Sequence, residues 1–243
     1  MMMDPRKNII KERVSNIGRI IAVSGGKGGI GKSVTSTVTA LLLKEKGKKT
    51  GLLDLDFTSP STHVILGRED LPFPEEEKGI VPLNVEGLSY LSIVSYTKDN
   101  PTPLRGDDVT NAILELFAIT RWGKLDYLII DLPPGIGDVL LDLLRIIENI
   151  EFLLVTTPSL LSWQTFKKVS VLLNERKIPI LGAILNMVGE DTYGSEEKIE
   201  SLGIKLLGKV GFDRRLEEKI GDTKKLLNSV FAKDLREIID KYL

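Results

Sequence analysis

Two ammonium groups, a hydroxyl and several glycines are crowded into Ser24-Gly25-Gly26-Lys27-Gly28-Gly29-Ile30-Gly31-Lys32-Ser33. From Gly26 to Ser33 the spacing fits G-x-x-x-x-G-K-[ST], a loop that cradles phosphates. Gly26, Gly28, Gly29 and Gly31 let the backbone turn its N–H groups inward, from Lys27 through Ile30 to Val34, and the following helix N-terminus adds partial positive charge. Lys32 is placed to reach the outer phosphates, and the Ser33 hydroxyl to take one Mg²⁺ position. The chemistry is that of a nucleoside triphosphate, ATP with Mg²⁺. Gly26 to Gly31 also satisfies G-x-G-x-x-G, with Asp54 and Asp56 at the distance of a ribose acid, so a dinucleotide is the rival ligand. The Lys32-Ser33 pair decides for the triphosphate, since a pyrophosphate turn needs neither an ammonium nor a metal-binding hydroxyl.

The carboxylates complete this chemistry. Leu128-Ile129-Ile130-Asp131 is an apolar strand closing on an acid, the pattern that holds Mg²⁺ opposite such a loop. In Asp54-Leu55-Asp56 an extended backbone sends the acids to opposite sides. Asp54 is assigned to the water around Mg²⁺, and Asp56 to orienting the attacking water. The metal set is therefore Ser33, Asp54 and Asp131, and the catalytic set is Lys27, Lys32 and Asp56. Leu132 to Asp138 is stiff at its prolines and free at its glycines, as suits a loop that senses the γ-phosphate. Asn186 closes an apolar strand, where its amide offers donor and acceptor to an adenine edge. His63 reads as a surface or capping residue, and Trp122 and Trp163 as packing anchors.

These groups need strands ending at one edge of a sheet. Apolar runs predict strands at 20–23, 50–54, 88–94, 125–131, 151–156, 180–185 and 205–210. Helical patterns fall between them at 34–43, 107–119, 138–148, 162–175, 195–202 and 230–242. That alternation gives an α/β fold, a doubly wound and mainly parallel sheet with helices on both faces. Residues 1–18 read as a polar lead-in with a helical turn around Ile9–Val14, 19–243 as one domain, and 67–87 as a Pro-, Gly- and Glu-rich excursion at its edge.

Bulk properties narrow the class. The 243 residues are 42% hydrophobic and 28% charged with a formal net charge of -1, so no field favours nucleic acid and no nucleic-acid partner is expected. The charged N-terminus is not signal-like and no apolar run spans a bilayer, so a cytoplasmic location without membrane attachment is expected. The sequence contains no cysteine, which excludes thiolate catalysis and thiolate-held metal within it.

With Lys27 as its mark, the chain resembles the deviant-Walker ATPases typified by MinD and ParA. Within that group it is most similar to the Mrp, or ApbC, family of iron–sulfur cluster carrier ATPases. The resemblance runs through the phosphate loop, Asp54-Leu55-Asp56 with Pro60-Ser61, Leu104-Arg105-Gly106, Trp122 to Tyr127, Asp131 to Asp138, Asn186-Met187 and Phe212-Asp213. It implies an ATP-dependent homodimer that hydrolyses slowly, with an iron–sulfur client or scaffold as partner. Lys27 would reach the other subunit's nucleotide, and Asn186, Phe212 and Asp213 would flank the base. Family members carry Cys-x-x-Cys shortly after the Asn-Met element; here Val188 to Ser195 has no thiol, so no Cys-ligated cluster is expected. Ser59 stands where the family usually has Gly. A MinD- or ParA-type positioning or partitioning ATPase is the alternative.

Overall fold

The computed structural model describes residues 5–97 and 106–243; Leu104 and Arg105 of the Leu-Arg-Gly element lie outside the described residues. The chain opens with α1 (Arg6–Val14) and β1 (Ile17–Gly25), then α2 (Lys32–Glu45), β2 (Thr50–Asp54) and the short α3 (Thr62–Ile65). β3 (Leu83–Val85), β4 (Leu88–Ser92), α4 (Val94–Thr97), α5 (Asp107–Ile119) and β5 (Leu125–Asp131) follow. The second half runs through α6 (Asp138–Ile146), β6 (Ile150–Thr156), α7 (Leu160–Glu175), β7 (Ile180–Val188), α8 (Ser195–Glu200), β8 (Leu206–Gly211), α9 (Thr223–Leu227) and α10 (Val230–Tyr242).

All eight strands form one sheet in the order β3-β4-β2-β5-β1-β6-β7-β8. It is parallel except for β3, which pairs antiparallel with β4. β1 is central because Ile20 to Val23 alternate with no exposed face. Ile20 and Ala22 join the core under α1, α5, α6 and α7, while Ile21 and Val23 join the core under α2, α9 and α10. β5 and β6 split likewise, with Leu128, Ile130 and Leu154 on one side and Ile129, Leu153 and Val155 on the other. Two-sided burial is what a parallel sheet requires of its strands.

Register then delivers the chemistry. Val23 pairs with Asp131, and Asp131 with Asp54, so both carboxylates emerge beside the turn that leaves β1. Ligands of such sheets bind beyond the strands' carboxyl ends.

Three details differ from the sequence reading. The helical turn expected around Ile9–Val14 is part of a longer, nine-residue helix, α1, whose Ile10 is buried against the α5 side of the sheet, and β1 begins at Ile17. The 67–87 excursion contains β3, a three-residue edge strand too short for a pattern, closed by Glu86 and Gly87 at positive φ. His63 is 2% exposed rather than at the surface, because α3 packs inward on α2. Trp122 is buried, as an anchor should be, and Trp163 stacks on Phe166 at 5.7 Å. The apolar stripe of α10 (Phe231, Leu235, Ile238, Ile239) is buried on the sheet. The Tyr127 hydroxyl donates to Leu243 O at 2.7 Å at the chain's end. Among the described residues no helix is long and apolar enough to cross a membrane.

Candidate functional site

The phosphate loop is the turn from β1 to α2. Gly31 closes it at φ 84°, a conformation that glycine adopts without penalty, and hands the chain to α2 at Lys32. At Gly26 a Cβ would lie 2.5 Å from Ser162 O, so the loop runs hard against the first turn of α7. At Gly28 and Gly29, by contrast, a Cβ would meet no atom within 4 Å. The loop is packed on its inner side and open on its outer side. That is the shape of a cradle whose rim awaits a ligand.

Lys32 is 6% exposed. Burial pulls its ammonium below the ordinary value, opposed by the charges of Asp131, Asp56 and Asp54. Asp131 lies opposite. Its Oδ1 is 2.6 Å from the Ser36 hydroxyl, which is also 2.8 Å from Lys32 O, while its Oδ2 is buried without a hydrogen-bond partner among the described residues. Burial raises Asp131, against the nearby hydroxyls of Ser33 and Ser36 and the charge of Lys32. A buried carboxylate oxygen with nothing to bind, beside a hydroxyl at Ser33, is the donor set of a hard divalent cation. Mg²⁺ fits there.

Asp54 is fully buried and differs in use from Asp131. Its Oδ1 accepts from Asp56 N at 3.0 Å, and its Oδ2 from Thr62 Oγ1 at 2.7 Å, Thr62 N at 3.2 Å and Ser61 N at 3.3 Å. Thr62 Oγ1 in turn sits 2.9 Å from the Tyr90 hydroxyl. Asp54 thus clamps the loop between β2 and α3 that carries Asp56. Burial and then the charge of Asp131 raise it to about 7. Asp56 shapes the same loop with one oxygen, Oδ1 accepting from Thr58 Oγ1, Ser59 N and Thr58 N. Its Oδ2 takes no hydrogen bond among the described residues.

Lys27 is exposed and has no ion-pair partner among the described residues. Gly135 N donates to Gly25 O, and Gly26 abuts Ser162 of α7, so the segments that carry the exposed Ile136, Leu160 and Leu161 lie against the phosphate loop. An exposed ammonium beside loops that present apolar side chains is suited to a surface that meets another molecule.

Beside the cradle a cavity of about 240 Å³ is lined by Gly29, Val34, Asn186, Met187, Phe212 and Phe231, among others. Asn186 is 2% exposed; its Nδ2 donates to Ile30 O at 2.9 Å and its Oδ1 is buried without a partner among the described residues. Phe212 is 59% exposed and offers its ring. Asp213 lines the cavity, but its carboxylate is engaged in the wall, accepting from Arg215 N, Val230 N and Lys219 Nζ. Burial works to raise it, yet those hydrogen bonds and the charge of Lys219 hold it below the ordinary carboxylate range.

The structure thus brings Gly26 to Val34, Asp54, Asp56 and Asp131 to one edge, with Asn186, Phe212 and Asp213 beside them. Sequence reasoning missed Ser36, Thr62 and Phe231, and gave Met187 no place in the site. Only Ser36 carried a signal, a small hydroxyl one helical turn after Lys32 in a buried helix.

The family described as ParA, NUBPL iron-transfer P-loop NTPase, matches residues 16–242. An iron–sulfur cluster carrier protein of Pseudomonas fragi is 38% identical over 177 residues, 72% of this chain and 62% of the relative. The Methanocaldococcus jannaschii protein of the same description is 35% identical over 225 residues, 86% of this chain and 78% of the relative. The chain spans 62% of the length of the Pseudomonas fragi and Aquifex aeolicus relatives. Among solved structures, the nucleotide-binding protein of Archaeoglobus fulgidus in complex with ADP superposes with a TM-score of 0.77 at 29% identity, covering 90% of this chain and 92% of that one. The septum site-determining protein MinD of Pyrococcus horikoshii shares the fold with a TM-score of 0.65 at 22% identity, covering 92% and 95%. By a match that spans nearly the whole sequence, this chain belongs to the ParA/NUBPL family of iron-transfer P-loop NTPases.

Proposed function

We propose that the chain is an ATP-binding, slowly ATP-hydrolysing switch of Mrp type, acting as a homodimer beside iron–sulfur cluster transfer without holding the cluster on its own thiols. The observation that carries the reading is the pairing of a complete cradle with an orphaned acid: Lys32 buried among carboxylates and Asp131 Oδ2 buried without a partner. Both are costly unless a phosphate and a cation take their places.

Ser33 and Asp131 would hold Mg²⁺, which neutralises charge on the outer phosphate oxygens. Lys32 and the inward amides of the loop grip the same phosphates. Asp56, with its free oxygen, orients the attacking water from a loop fixed by Asp54. Lys27 lies outside this set and has no ion-pair partner among the described residues, so it serves the nucleotide of a second copy, as an arginine finger does. With part of the catalytic set supplied by a second copy, hydrolysis on this reading is dimer-dependent and slow in the single chain.

For cargo, the donor set does not fit. Iron–sulfur clusters are held by thiolates, and Asn186-Met187 is followed by Val188 to Ser195 with no cysteine. Any cluster is then handled through a partner's thiols. Equilibrium dialysis with Mg–ATP against NAD tests the ligand, with retention of Mg–ATP alone expected; preferential NAD retention would return the site to the dinucleotide reading. The positioning alternative requires ATP-dependent retention on liposomes or DNA at physiological salt. Burial of the α10 stripe argues against the membrane form of it.

A further inference from the structure

We propose that Asn186 is a positioning residue of the phosphate cradle: its amide braces the loop from across the sheet, so that phosphate grip depends on it even when no base is bound. The inference rests on the nucleotide-binding reading and goes beyond contact with a base.

Asn186 stands on β7, two strands from the β1 whose end bears the loop. Its Nδ2 donates to Ile30 O at 2.9 Å, a buried hydrogen bond joining residues 156 positions apart. The fit extends to the next residue, since a Cβ on Gly31 would fall 2.4 Å from that same nitrogen. The amide therefore fills the space left by the glycine at φ 84° and holds the carbonyl before it. Few other groups reach this part of the loop. Gly28 and Gly29 have no atoms near a Cβ position, and Ile30 alone is anchored, 4% exposed with its Cδ1 beside Gly25. With Ile30 O pinned outward, the amides that follow it are left facing the cradle. A loop without the brace must be ordered by the phosphate itself, and that ordering is charged against affinity.

Asn186 also lines the cavity, and its Oδ1 is buried without a partner among the described residues. One amide thus touches the loop with its donor and offers its acceptor to whatever occupies the cavity. Met187 follows at φ 56°, a left-handed turn that fixes how β7 presents the amide.

The test compares a ligand with a base and one without, by calorimetry on the full chain with Mg–ATP and with Mg–tripolyphosphate. In Asn186→Ala both affinities should fall about tenfold, the value of one buried hydrogen bond, while the melting temperature without ligand stays within a few degrees of the parent. Asn186→Thr suits a strand but cannot span to Ile30 O; it should reproduce the loss and stands in if the alanine variant does not fold. Unchanged tripolyphosphate binding with weakened ATP binding would make Asn186 a cavity wall only and overturn the proposal. A parent chain that binds neither probe would overturn the nucleotide reading and this inference with it.

Discussion

The phosphate end and the proposed base end of this site are built in contrasting ways. The phosphate end comes from one continuous stretch, Gly25 to Ser36, with two carboxylates set beside it by strand register. Its charged groups are nearly all buried: Lys32 is 6% exposed, and Asp54 and Asp131 are 0%. The base end is gathered from the end of β7, the segment after β8 and the start of α10, and is largely apolar. Its most prominent side chain, Phe212, is 59% exposed. The first region holds charges in place at a cost in stability and gains chemistry; the second packs like ordinary surface and gains contact area. Substitutions in the two should therefore differ in kind as well as size.

The largest effect is expected at Lys32. Lys32→Ala removes the buried ammonium from the phosphates and should lower ATP hydrolysis roughly 10³-fold, with Mg–ATP affinity falling too, as phosphate release and calorimetry would show. Lys27→Ala comes next. Hydrolysis should drop about 10²-fold, below the range of arginine fingers because lysine acts as a point charge. Binding of Mg–ATP should stay within about threefold, since Lys27 is exposed and has no ion-pair partner among the described residues.

The buried carboxylates predict a smaller effect on stability. Asp54 titrates near 7 in the folded chain, above its ordinary value. The folded state therefore keeps a proton that the unfolded state releases, and stability is lost as pH rises from about 4 through 7. The ligand-free melting temperature should fall between pH 5 and pH 8. Asp131→Asn removes the like charge and should flatten that fall, raising the melting temperature at pH 8 by about 2–4 °C for each kcal/mol relieved, while Mg²⁺-dependent hydrolysis is lost. The smallest effect belongs to the base end, where Phe212→Ala should weaken Mg–ATP about three- to tenfold and leave Mg–tripolyphosphate unchanged. Equal weakening of both probes by Phe212→Ala would erase the contrast between the ends.

Legibility in the sequence follows the same division. Lys32, Ser33 and Asp131 were readable because their chemistry depends on local spacing and on an apolar strand that declares itself. The alternation of strand and helix was readable for the same reason. Ser36 on Asp131, Thr62 and Tyr90 on Asp54, and the turning of Asp213 into the cavity wall were not, because each depends on packing between distant segments. Asp54 shows the limit well: its type and position matched a role beside Mg²⁺, but the structure uses both oxygens to clamp a loop. α1 was legible only as a turn around Ile9–Val14, since its charges are mixed and only Ile10 of its nine residues is buried.

The central claim is that two copies share two sites, each completed by Lys27 from the other. The direct measurement is the ATPase rate of Lys27→Ala and Lys32→Ala proteins, each alone and then mixed. In the mixed dimer the Lys27→Ala subunit keeps its cradle and receives Lys27 from its partner, so the mixture should recover up to about a quarter of the parent's rate when subunits pair at random. A mixture no faster than the sum of its inactive parts would contradict the account.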